Sequence, residues 1–571
     1  MKHLKSLAAW MLSVLLMLTL ALPAWAADAT YTITINNTNS GHTYEAYQIF
    51  LGDVSTDGTV LSNIQWGSGV NSTGQVDGKT LLEALKSISE FTSCSTAAGV
   101  ADVLKTFGEN SANLDKFAAV VEKYVTQATG TATPGSGKTS CTISNLPAGY
   151  YLIKDKNTVT GHDASTKFIL KVVGNTTVTP KSSVPTVEKK VKENTQYTSD
   201  DGYGAGYNDV ADYNIGDDVP FKLIGTLPTT LDDYSTYKYV FHDTLSAGLT
   251  LKSATVNVYV ASSKNADLND ATLVPASNYT LTVKGESVAP TDGCSFEISF
   301  DNIKNLKNGE TPITVTKASF IIVTYDATLN SNAAIGSGTG NPNAVVLEFS
   351  NNPNAGGENE TGKTPEDKAI VFTYKLDGTK VDGTNSGTKL ANAEFVLLNS
   401  EKNKVAKVDT TGKVVGWNEL PEGYNNYTYE QWTDLNEDGK NVNFTSNESG
   451  KFSVTGLDDG TYYLREIKAP DGYNLAGADM EVKIDATTVN GQNWNGMPAG
   501  ALTDISVKVN SGEVQKGDTS NGTVSITVEN KKGTTLPETG GIGTTIFYVM
   551  GSALALGALV LLVAKKRMNK N

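Results

Sequence analysis

The sequence predicts a mainly β protein: three tandem β-sandwich domains, the first with helical insertions, and then one membrane-spanning helix at the C-terminus. Three observations carry this prediction. Short alternating apolar segments separated by Gly, Asn, Asp and Pro recur along the chain, as half-buried strands require. Two linker-like stretches, 181–185 and 355–367, divide the chain into pieces of ordinary domain size. An uncharged run of 23 residues, Ile542–Ala564, is long enough to cross a bilayer as a tilted helix.

Both ends read as targeting segments. Lys2, His3 and Lys5 precede an apolar stretch from Leu7 to Leu22, and Ala24-Trp25-Ala26 supplies small residues at a cleavable spacing. Residues 1–26 are therefore a secretory signal peptide, and the mature chain is exported. At the other end, 534–571 holds Leu536-Pro537-Glu538-Thr539-Gly540, the apolar run, and Lys565-Lys566-Arg567. The basic cluster stays in the cytoplasm, which leaves everything upstream outside.

Composition excludes several functions. The net charge is −15 and no Lys/Arg stripe occurs outside the tail, so nucleic acid and anionic membrane surfaces are poor partners. Of the three cysteines, Cys94 and Cys141 share a domain and could pair, although spacing alone does not establish it; Cys294 is left over. No cysteine or histidine cluster suggests a metal. None of the four histidines sits in a nucleophile motif and no phosphate-binding loop occurs, so the reading is no cofactor and no enzyme.

In chain order, the first domain (27–180) opens with the alternating Tyr31–Ile35 and carries a second strand at Thr43–Phe50. Leu81, Leu82, Leu85 and Ile88, then Leu114, Phe117, Val121, Tyr124 and Val125, recur at helical spacing. Strands return at Leu146–Leu152 and Phe168–Val173. The linker 181–185 follows Pro180 and ends at Pro185. The second domain (186–354) contains strands at Ala254–Val260, Tyr279–Val283, Ser295–Phe300, Phe320–Tyr325 and Val345–Phe349. The linker 355–367 separates it from the third domain (368–533), which runs from Ile370-Val371-Phe372 to Val524–Asn530. Gly456–Glu466 echoes Leu146–Leu152, a weak internal repeat.

These segments resemble a known family. Leu536–Gly540, the apolar run and the basic tail together look like the cell-wall sorting signal of Gram-positive LPXTG proteins. Tyr463-Leu464-Arg465-Glu466-Ile467-Lys468-Ala469-Pro470-Asp471-Gly472-Tyr473 resembles the E-box of collagen-adhesin B-type pilin domains. The resemblance implies a sortase-assembled major (backbone) pilin built of immunoglobulin-like, collagen-adhesin-type sandwiches. In that family a sortase cuts after the motif Thr, here Thr539, and passes the acyl group to an amine.

The resemblance also implies intramolecular isopeptide bonds, in which a buried lysine attacks an asparagine side chain and an acid assists. In the third domain it places them at Lys375 and Asn530 with Glu466 as the acid. In the second, Thr186–Val191 resembles the first strand of A-type domains, and Phe241–Leu249 the family's Asp-containing strand. That makes Lys189 and Asn343 the linked pair and Asp243 the acid. Strand alternation puts Val187, Lys189 and Val191 on one face, and Val371, Thr373 and Lys375 on another. The two pairs are 154 and 155 residues apart, so each link encloses nearly a whole domain. The first domain has no lysine in its opening strand, and Lys154 falls where the E-box Glu would align, so no such bond is expected there.

Val178-Thr179-Pro180-Lys181 resembles the family's pilin motif, with Thr179 in place of Tyr and Ser182 in place of Asn. The implied function is a shaft subunit polymerised through Thr539 and Lys181 of the next copy. The implied partners are a class C sortase, a housekeeping sortase, minor pilins, peptidoglycan and a host ligand, at the cell wall or in a pilus fibre. The alternative is a monomeric wall-anchored adhesin or basal pilin that binds a host protein or glycan.

Overall fold

The computed structural model describes residues 29–533 and 542–568, apart from 38–40, 108–111, 157–158, 181, 196–199, 337, 356–359, 490–491, 493 and 495. The signal peptide, Lys181 and Leu536–Gly540 thus lie outside the described residues.

In the first unit a three-stranded sheet packs on a five-stranded one. Neighbouring residues of the Tyr44–Val54 strand enter different cores. Tyr44 and Ala46 face the other sheet, whereas Tyr47 and Ile49 face the helices Leu81–Leu85, Ala97–Leu104 and Ala112–Glu122. Tyr151 and Leu152 divide in the same way. A sheet covered on both sides needs apolar residues at consecutive positions, which explains why strict alternation fails here. Cys94 lies in the helix-side core and Cys141 between the sheets; both are free thiols, so the possible pair is not bridged.

The second unit is a sandwich of two seven-stranded sheets. Its boundary differs from the sequence expectation. The strand Asp367–Phe372 belongs here, antiparallel to Asn341–Ser350 and parallel to Val210–Asp212, so the unit extends past 354 to 372. The Gly- and Asn-rich stretch before it reads as a linker to a new domain, but its described end, Thr361–Lys363, pairs with Asn341–Ser350 in the same sheet.

The third unit starts at Tyr374. Its first strand, Tyr374–Asp382, is antiparallel to Lys451–Leu457 and parallel to Thr523–Asn530, the last strand. An eight-stranded sheet closes the sandwich.

The two junctions differ. Second and third units share one continuous apolar core, with Tyr213, Ile215, Phe372, Tyr374 and Leu457 at the seam. Gly456 (φ +95°) is required there, because a Cβ would lie 2.6 Å from Ile215 Cδ1. First and second units meet through polar contacts instead. Ser165 N donates to Asn351 O (2.7 Å) and Asn351 Nδ2 to Val159 O (2.7 Å). The C-terminal helix Ile542–Met568 contains a 23-residue span, Ile546–Met568, long and apolar enough to cross a membrane, exposed throughout and ending in Lys565, Lys566 and Arg567.

Candidate functional site

Two lysines lie in sandwich interiors, each facing an acid and an asparagine. In the second unit, the Val187–Lys192 strand turns Lys189 inward, where its side chain is wholly buried. Its Nζ donates to Asp243 Oδ2 (2.5 Å) and to the Tyr325 hydroxyl (3.0 Å). That hydroxyl donates to Asp243 Oδ2 (2.9 Å) and accepts from Asn343 Nδ2 (2.7 Å). The Phe221 and Tyr325 rings each lie 5.6 Å from the amine, and Phe296 stands edge-on to Tyr325. Neighbouring Lys190 points the other way and pairs with Asp209 at 2.5 Å.

The electrostatics favour neutral partners. Burial pushes the Lys189 amine down to about 8, against the opposing pull of Asp243. Burial pushes the Asp243 carboxyl up, partly offset by Lys189. Asp243 Oδ1 and Asn343 Oδ1 are buried without a hydrogen-bond partner, a cost of about 1–3 kcal/mol each. A proton on the acid turns one such acceptor into a donor.

In the third unit the buried lysine is Lys380, not Lys375. Its Nζ donates to Asn530 Oδ1 and lies 2.9 Å from Glu466 Oε1. Glu466 Oε2 accepts from Asn530 Nδ2 (3.0 Å) and from Ala476 N (2.8 Å). Asn530 Nδ2 also donates to Asn474 O (3.0 Å). The Phe395 ring lies 5.4 Å from the amine. Burial lowers the Lys380 pKa, against Glu466, which raises it.

The correction has a clear physical cause. Alternation from Val371 through Thr373 to Lys375 assumes one continuous strand, yet Phe372 and Tyr374 belong to different sheets. After the break, Tyr374, Leu376, Gly378 and Lys380 face inward, and Lys375 faces out to pair with Asp377 at 2.9 Å. Lys375 is in register with Thr523, seven residues short of Asn530, or ~23 Å along the strand. Lys380 is in register with Val528, so Asn530 is its diagonal neighbour on the same face. Tyr325 was missed altogether, because it sits at an inward position of the apolar strand Phe320–Leu329 and nothing local marks its hydroxyl as part of a polar site.

Among the described residues, the first unit has no such trio. Lys154 reaches Glu122 at 3.4 Å, and the buried polar centre is His42, held by Asp155 (2.9 Å) and Asp163 (3.0 Å).

Parts of the chain match known families. A prealbumin-like SpaA domain model matches residues 427–495, which include Glu466, and the LPXTG cell wall anchor model matches 528–570. The trypsin-resistant surface T6 protein of Streptococcus pyogenes serotype M6 is 25% identical over 604 aligned positions, covering 95% of this chain and 96% of that protein. The chain is homologous to T6 and carries an LPXTG anchor. Among solved structures, the T6 backbone pilin matches at 20% identity and TM-score 0.48, over 89% of this chain and all of that one. The major pilin SpaD of Corynebacterium diphtheriae matches at 17% and 0.42, over 88% and 98%. The relatives are structural pilin subunits rather than enzymes, and the anchor match together with the T6 relative makes this chain a cell-wall-anchored surface protein.

Proposed function

We propose that the protein is the shaft subunit of a covalent pilus, stiffened by two internal isopeptide bonds, Lys189–Asn343 and Lys380–Asn530. The observation that carries this reading is a wholly buried lysine beside an acid and an asparagine, found twice. Burial favours the neutral amine, which is the nucleophilic form. Nζ attacks the asparagine Cγ while the protonated acid, Asp243 or Glu466, polarises the amide oxygen. A bond forms between Nζ and Cγ, the Cγ–Nδ2 bond breaks, and a proton from Nζ passes through the acid to the leaving nitrogen. One ammonia is released per bond.

Between subunits, a sortase forms an acyl-enzyme at Thr539 and transfers it to Lys181 of the next copy; the last copy goes to peptidoglycan. A class C sortase suits the polymerisation and a housekeeping sortase the wall attachment, with minor pilins as further acceptors.

The test has two parts. Intact mass of the exported chain is expected to fall short of its sequence mass by two ammonias. Wall extracts are expected to show a high-molecular-weight ladder that collapses in Lys181→Ala. A full sequence mass overturns the internal bonds, and a single band in the wild type overturns the shaft role. A ladder that survives Lys181→Ala moves the linkage to another lysine. Lys190 is then disfavoured by its buried pair with Asp209.

A further inference from the structure

Cys294 has no role in the chemistry above, and neither does the outer face of the strand that carries Asp243. Asp243 points into the sandwich, so its neighbour His242 points out, and its Cα partner on the adjacent strand is Glu297. The loop before that strand turns at Gly293 (φ +87°), a conformation glycine adopts without strain, and brings Asp292 and Cys294 to the same place. His242 Nδ1 lies 2.9 Å from Asp292 Oδ2 and 3.1 Å from Glu297 Oε1. Cys294 Sγ lies 4.0 Å from Glu297 Oε1 and 3.3 Å from Phe296 O. One donor atom from each of these four side chains lies within 4.8 Å of the other three.

We propose that His242, Asp292, Cys294 and Glu297 form a binding site for a zinc-class divalent ion. A tetrahedral site with ordinary zinc bond lengths needs its donors ~3.3–3.8 Å apart, so the wider pairs close by about an ångström or less and the 2.9 and 3.1 Å pairs open slightly. A thiol and an imidazole beside two carboxylates select zinc over calcium or magnesium, which take oxygen donors. The histidine supplies an independent indication. Its side chain is 9% exposed, and although carboxylates surround it, neither ring nitrogen has an acceptor aligned with it for a hydrogen bond. Glu348 Oε2 stands 3.3 Å from Nε2, where a carboxylate orients a metal-bound histidine. Lys238 (2.7 Å from Glu348) and Lys363 (3.6 Å from Asp292, 3.8 Å from Glu348) complete the surroundings. With the thiolate, the three carboxylates and the two lysines, a divalent ion makes the cluster neutral. Asp292, a third exposed, leaves an entry path.

The motif is hidden in the sequence because its histidine lies some fifty residues before its cysteine. Sheet pairing, not spacing, assembles it.

The test loads the exported chain, with its three units intact, with Zn2+ by equilibrium dialysis and, separately, with Co2+ for optical spectra. One zinc per chain is expected, with a thiolate-to-cobalt charge-transfer band. Cys294→Ser is expected to lose both, Cys94→Ser and Cys141→Ser to keep both, and Glu348→Gln to bind roughly 10- to 100-fold more weakly. Release of the second-unit ammonia in Cys294→Ser serves as the folding control. No bound zinc, or zinc bound equally by a folded Cys294→Ser, overturns the site and leaves a protonated histidine among carboxylates. Calcium bound in preference to zinc overturns it as well.

Discussion

The two lysine sites share a plan but solve it differently. In the second unit a tyrosine hydroxyl stands among amine, acid and amide, and two oxygens remain without partners. In the third, the glutamate reaches the amine with one oxygen and the amide nitrogen with the other, and a backbone N–H steadies it. A longer carboxylate thus spans what a shorter one reaches through Tyr325. The proposed chemistry asks for a proton-bearing group between nucleophile and leaving group, and the sandwich can supply it from different strands.

The sharpest way to break this comparison is to remove the nucleophiles one at a time. Lys380→Met is expected to retain one ammonia more than wild type and to lower the melting temperature of the third unit. If a link acts as a loop closure, it is worth about 5 kcal/mol, or roughly 10–20 °C. Lys375→Met is expected to change neither. If Lys375→Met is the variant that keeps its ammonia, the third site is wrongly assigned.

Tyr325→Phe comes next. It removes the hydroxyl from the second site only, at about 1–3 kcal/mol, which slows that bond roughly 5- to 150-fold if all of it falls on the barrier. Timed mass spectra during refolding check this; equal slowing at both sites would remove the tyrosine's special role.

The gentlest perturbation is pH. With Lys189 held at about 8 and the acid required to keep its proton, second-site formation is expected to change little below pH 8 and to slow above it, as the Lys189–Asp243 pair gives up the proton it shares. A rate that keeps rising above pH 8 contradicts the need for a protonated acid.

The first unit, without a trio, marks the other limit of the comparison. Burial alone would lower the His42 pKa, but Asp155 and Asp163 prevail and raise it to about 9. A raised pKa stabilises the fold fully below the unfolded value near 6.5 and loses that contribution as pH climbs through 9. Calorimetry should show the first-unit transition falling across this window while the second and third units hold theirs. A flat first-unit transition contradicts the buried ionic centre.

Much of this was legible in the sequence, for reasons visible in particular residues. Parity on a regular strand turned Lys189 rather than Lys190 inward, whereas Asp243 and Asn343 came from the resemblance to A-type domains; the fold buries all three in one interior. Glu466 and Asn530 stood in local patterns that needed no tertiary knowledge. Lys375 failed because parity restarts where a strand crosses between sheets, and Thr373 marks no such crossing in any local pattern. The boundary near 354 failed similarly, since a polar loop that returns to its own sheet reads like one that leaves it. The helix-covered sheet of the first unit was legible only as helices and strands, not as two cores.

The parallel pairing of Tyr374–Asp382 with Thr523–Asn530 bears on the order of assembly. A chain that reaches the exterior N-terminus first presents the Lys380 strand long before the partner for that edge has emerged. Until then the strand keeps unpaired backbone groups along one side, a surface prone to mispairing. Only eleven residues separate Asn530 from the apolar helix at Ile542, so the missing strand arrives with the chain already at its membrane stop. The third unit therefore closes last, against the membrane face, after the second unit has everything it needs for its own ring closure. Each new copy thus matures from its free end toward the cell.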